Sequence, residues 1–175
     1  MILFFRQLVR AAALDAPLYE SIAAGETAAR PDTLRRALLV VVLSGLAAGL
    51  GMWHHLGPAR MAWFGLIDLG GWFAWALLMY LIGTKLLPRP GMSVDIGAFL
   101  RTVGFSSAPG LLRLLGLIPK IDVVFFFAAL VWMLMAAVVA VKAVFQYTGI
   151  WQAVAVVVIG WVIVRIAQRL VFAVI

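Results

Sequence analysis

Long apolar runs alternate along the chain with short clusters of charge, proline and glycine. Residues 37–53 carry no charge and come close to the minimum of about 17 residues that crosses the hydrocarbon of a bilayer. Arg35 and Arg36 sit just ahead of that run, and Pro31-Asp32-Thr33 supplies a helix start. A second apolar run, 61–82, is interrupted only by Asp68, and a turn-rich stretch over 83–93 with Pro88, Pro90 and Gly91 follows it. Residues 123–141 and the stretch from about Ile150 onward predict two more spanning helices.

Residues 95–119 are less regular, because Arg101, Ser106-Ser107, Pro109 and Arg113 punctuate an apolar background. Proline removes a backbone donor, so a helix must bend or break at Pro109. The pattern predicts two half-helices, 95–107 and 109–117, forming one bent crossing or a re-entrant hairpin. The bent crossing is preferred and gives five spans with a broken third. The N-terminal thirty residues differ again. Phe4, Phe5, Leu8, Val9 and Ala12 fall on one helical face, and Arg6, Gln7 and Arg10 on another. Two readings stay open: an amphipathic helix at the headgroup level, or a short helix packed on the protein's own membrane domain. Leu14, Leu18 and Ile22 continue the apolar spacing until Pro31. The expected organisation is therefore all-α, with a cytoplasmic or interfacial segment over 1–30 and a polytopic membrane domain over 31–175.

Composition confirms the solvent. The 175 residues are 66% hydrophobic and 12% charged, against roughly 25% charged in soluble domains, and a soluble fold of this size cannot hide so much apolar surface. Soluble enzyme and disulfide-stapled module are excluded, the latter because there is no cysteine. Fourteen Lys and Arg against seven Asp and Glu give a net charge of +7. These charges are scattered between apolar runs, which fits anionic headgroups and the positive-inside bias rather than nucleic acid. With the N-terminus inside, Arg6, Arg10, Arg30, Arg35, Arg36, Lys85, Arg89 and Lys142 fall on the inner side. Arg60, Arg113, Lys120, Arg165 and Arg169 fall outside. Arg6, Arg10, Arg35 and Arg36 are the candidate contacts to anionic lipid headgroups.

Three residues stand out as candidate chemistry. Asp68 is a carboxylate inside an apolar run, where a charge costs at least about 2.5–3.5 kcal/mol, so it must face the bundle. It serves as a proton or cation site, or as half of an internal pair with Arg101 or Arg113. Those two arginines either snorkel to opposite headgroup layers or bind an anionic group at the half-helix ends. His54-His55 follows the first span with no neighbouring ligand to complete a metal set. Gly45 and Gly49 form a GxxxG pair that permits close helix packing. Phosphate-binding, dinucleotide and nucleophile motifs are absent, so the sequence points to no catalytic residue, cofactor or metal.

The stretch Val103-Gly-Phe-Ser-Ser-Ala-Pro-Gly-Leu-Leu-Arg-Leu-Leu-Gly-Leu-Ile-Pro119, with Val131-Trp132-Met-Leu, Val138-Val-Ala-Val-Lys142-Ala-Val and the upstream Pro17-Leu-Tyr19-Glu20, resembles the bacterial branch of the Yip (Ypt-interacting-protein) family. That resemblance implies a five-span domain in the bacterial inner membrane with a cytoplasmic N-terminal segment. Eukaryotic members bind Rab-class GTPases and each other, but this N-terminal segment is too short for a recruiting arm, so no Rab partner is expected. The expected role is non-catalytic interaction, scaffolding or membrane organisation, as a homo-oligomer or within a larger membrane complex. The alternatives are a small transporter, channel or lipid-moving protein using Asp68 with Arg101 and Arg113, and an accessory subunit of a larger assembly.

Overall fold

Apolar side chains on every face of a helix can be stable only where lipid or other helices surround it. In a computed structural model, which describes residues 2–25 and 32–174, the long apolar runs form such helices. In chain order these are α1 (Ile2–Ala12), α2 (Ala16–Ala23), α3 (Asp32–Gly51), α4 (Trp53–Leu81), α5 (Ile96–Phe105), α6 (Asp122–Val144) and α7 (Ile150–Val174). A π-helical turn, Ile82–Leu86, extends α4, and a 3-10 helix, Ala108–Leu117, follows α5. The stretches Asp32–Gly51, Arg60–Leu86, Asp122–Val144 and Ile150–Leu170 are long and apolar enough to cross a membrane. Arg30 and the Pro31 helix break lie outside the described residues.

The chain leaves the helix of α4 later than its turn formers suggest. Helical structure continues to Leu86, so the expected loop over 83–93 begins at Leu87. The Phe145 ring lies directly against Gly83, where a side chain has no room, and Thr84 Oγ1 donates back to the Tyr80 carbonyl at 2.7 Å. Together they account for a widened turn in place of a stop. At the other end of α4, Gly57 takes φ 68° and kinks the helix, so the straight run begins near Arg60.

The break in the 95–119 segment has a local cause. Asp95 caps α5, accepting from the Ala98 amide at 2.9 Å, and α5 ends at Phe105. Pro109 falls in the first turn of the 3-10 helix, where its missing N–H is not needed. The two pieces follow α3 in the same direction: Gly104 lies against Ala37, Gly110 against Ser44, and Gly116 against Gly51. The 3-10 helix is enclosed by α3, α6 and α1, which is how irregular backbone survives away from water.

Gly45 and Gly49 serve packing within the chain. Gly49 meets the Met61 carbonyl and Gly65, and Gly45 meets Leu69, so α3 and α4 approach closely. One end of the bundle is closed by aromatic rings: Tyr80, Phe99, Phe145 and Tyr147 contact in series at centroid distances of 5.5, 5.7 and 5.4 Å. At this end the Tyr147 hydroxyl donates to the Leu87 carbonyl at 2.9 Å, and burial raises its phenol pKa above the usual 10.0. At the opposite end, Phe64 meets Phe126 edge-on at 6.4 Å, and His55 pairs with Asp122 at the start of α6.

The N-terminal helices lie against the flank of the bundle. The Trp132 indole donates to the Ala12 carbonyl at 2.7 Å, and Ala12, Ala13 and Leu14 line a hollow with Phe127, Val131 and Met135, beside the middle of α6. Phe4, Leu8 and Ala12 face the core, whereas Phe5 is 67% exposed and Val9 is also exposed. Gln7, assigned by spacing to the polar face, is buried. The inward face is thus rotated from the expected one, because docking onto the 3-10 helix, and not the apolar moment alone, decides which residues are covered. Arg10 is committed to Asp15 at 2.6 Å, and Asp15 caps α2 through the Leu18 amide. Arg6 and Arg35 are exposed, and Arg36 lies 3.7 Å from Asp32.

Candidate functional site: a charged cleft among α4, α6 and α7

Arg113 is the best-anchored polar side chain of the bundle. From the 3-10 helix its guanidinium donates to Asp68 Oδ2 at 3.0 Å, to Ser44 Oγ at 2.8 Å and to the Gly110 carbonyl at 3.2 Å, with Met133 Sδ at 3.2 Å. The side chains of Arg113 and Asp68 are 9% and 21% exposed. Arg113 therefore turns inward and does not snorkel. Room for that turn comes from Gly110, since a Cβ there would overlap Ser44 Oγ. The Arg113 carbonyl in turn presses on Gly51. Of the two partners open to Asp68, the fold selects Arg113.

Arg101 stays apart. It lies on α5, beside the first half of α3, with Gly97 and Asp95 nearby. Among the described residues no hydrogen bond or ion pair joins it to Asp68 or Arg113, and its buried Nε has no hydrogen-bond partner. The expected trio is thus a pair plus one separate arginine.

The Asp68–Arg113 pair lines a cleft of about 510 Å³. Its α4 wall carries Phe64, Asp68, Trp72 and Trp75, and its α6 wall Phe126, Phe127, Leu130 and Leu134. Its α7 wall carries Trp161, Arg165, Gln168 and Arg169. Arg165 donates to Gln168 at 3.0 Å and lies 5.6 Å over the Trp161 ring. The charged groups lie in a band, with aromatic and aliphatic groups of all three walls on both sides of it, and Gln168 packs on Gly71. Phe127 and Arg165, both exposed, belong to spanning stretches of α6 and α7, so the rim faces the flank of the bundle. The i, i+3, i+4 spacing of Arg165, Gln168 and Arg169 marks a polar stripe on an apolar helix, but sequence alone does not say that it faces Asp68. The partner of His55, Asp122, was equally invisible because 67 residues separate them.

Among the described residues there is no cluster of three or more His, Asp or Glu able to hold a metal ion. Comparisons with protein-family models, with curated proteins and with solved structures found no match.

Proposed function

We propose that this is a multi-pass membrane protein that holds a membrane component in the cleft among α4, α6 and α7, in a non-catalytic, membrane-organising role. The observation that carries this reading is the cleft itself, whose rim belongs partly to membrane-spanning stretches and whose walls combine fixed charge with an apolar floor. Five crossings are part of the proposal, with α5 and the 3-10 helix together making a broken third. Their parallel course along α3 from Ala37 to Gly51 supports it. Their combined rise, about 35 Å at 1.5 and 2.0 Å per residue, matches the thickness to be crossed. The N-terminal side is proposed as cytoplasmic, in a bacterial inner membrane, on the Lys and Arg distribution and the Yip resemblance of the 103–119 segment. A transport reading drew on Asp68, Arg101 and Arg113 converging; only two do, and they are paired, which favours retention over passage.

The test is recovery from native membranes in mild detergent, comparing the native chain with Leu130→Trp, which fills the cleft without altering charge. A component retained at fixed stoichiometry by the native chain and lost from a monodisperse Leu130→Trp variant is expected. Bare protein from both preparations removes the reading.

A further inference from the structure

We infer that the occupant of the cleft is an anionic phospholipid, its phosphate held by Arg165 and Arg169 and one acyl chain lying on the aromatic floor. This deepens the proposed retention of a membrane component and rests on it.

Charge is the first argument. The lining holds three arginines and one aspartate. Arg113 is neutralised by Asp68, while no carboxylate among the described residues pairs with Arg165 or Arg169. Two unpaired guanidiniums on the membrane-facing rim form a site for a phosphate, which accepts charge-assisted hydrogen bonds in the geometry a guanidinium offers. The surplus positive charge selects an anionic headgroup over a zwitterionic one.

Dimension is the second argument. From Asp68 to Trp75 the α4 wall extends about 10 Å below the charged groups, some two thirds of the roughly 15 Å of one leaflet's hydrocarbon. The charged groups form a band across the cleft, with Phe64, Phe126 and Phe127 on its Asp122 side and Trp72, Trp75, Leu134 and Trp161 on the other. A third observation concerns the layer between. One helical turn below Asp68 and Arg165, about 6 Å away, lie Trp72 and Trp161. Their indole N–H groups are buried without an acceptor among the described residues, and Trp72 is only 6% exposed. Buried donors of this kind call for a partner. The ester carbonyls of a glycerophospholipid lie within a turn of both indoles when the phosphate is at Arg165.

The experiment uses the full chain in mixed micelles containing phosphatidylglycerol and phosphatidylcholine, with retained lipid counted by native mass spectrometry. The native protein is expected to retain one phosphatidylglycerol selectively. Arg165→Gln with Arg169→Gln is expected to lower that retention roughly tenfold per guanidinium removed, while Lys85→Gln with Lys142→Gln, exposed cations away from the cleft, leaves it unchanged. Both pairs are exposed, so folding is preserved, and an unchanged melting temperature checks this. Equal retention of the two lipids, or retention indifferent to the Arg165 and Arg169 changes, overturns the inference. Loss of lipid selectivity while another component still leaves with Leu130→Trp would sink the lipid assignment alone and leave the retention role standing.

Discussion

At the scale of single residues, a charge inside a membrane bundle is held by how completely its hydrogen bonds are met. Arg113 has Asp68, Ser44 and the Gly110 carbonyl, and Asp68 has Arg113. Removing one partner of a buried pair leaves the other charge uncompensated, at a cost of about 3–5 kcal/mol, whereas replacing both by apolar groups is often neutral. Asp68→Ala is therefore expected to lower the melting temperature in detergent sharply, and Asp68→Leu with Arg113→Met to restore most of it. A double variant as unstable as the single one would show that the pair is not the operative interaction. Gly110→Ala tests the space around the same guanidinium. Its methyl would collide with Ser44 Oγ, and overpacking of this kind costs about 1–3 kcal/mol. Ser44→Ala in the same chain should recover part of that loss, because it removes the atom in the way.

At the scale of elements, the N-terminal helices show how tertiary contacts overrule an amphipathic pattern. The turn over 12–14 sits beside Phe127, Val131 and Met135, near the middle of the spanning helix α6. The Arg10–Asp15 ion pair at that turn leaves neither charge alone, as placement at membrane depth would require. The native chain has no cysteine, so Leu14→Cys reports depth directly. It is expected to resist a membrane-impermeant maleimide added from either side, where a cysteine at a headgroup-level position would react. The closed end of the bundle offers a pH test. Burial raises the Tyr147 phenol above 10.0, so its hydrogen bond to the Leu87 carbonyl contributes fully below pH 10.0. That contribution disappears as pH rises through the raised value. Stability measured across this alkaline window should fall more steeply for the native protein than for Tyr147→Phe.

At the scale of the whole molecule, the order of helices becomes a topology. The five crossings proposed above would place Ser93 and Thr148 on one side of the membrane and Ile118 on the other. Single cysteines at these three positions, labelled in sealed vesicles, are expected to divide in that way; labelling of Ile118→Cys from the same side as Ser93→Cys would replace the bent crossing with a re-entrant hairpin. Much of this frame was written in local sequence. Uninterrupted apolar runs are stable only where lipid or other helices surround them, so the four long helices follow from composition, and the end of α5 ahead of Pro109 from a residue that cannot continue an α-helix, both local properties. The need for Asp68 to find a partner was legible for the same reason. The choice of Arg113 over Arg101 was not, because it depends on the 3-10 helix running beside α3 and on Gly110 leaving room at Ser44. Nor was the cleft, since Arg165 and Arg169 lie some hundred residues from Asp68 and meet it only when α7 packs on α4. Sequence alone determined the solvent, the helices and the exceptional charges, since each depends on neighbours in the chain. Which charges pair, which face of α1 is covered and where a cleft opens were decided by tertiary packing, which joins residues that no local pattern connects.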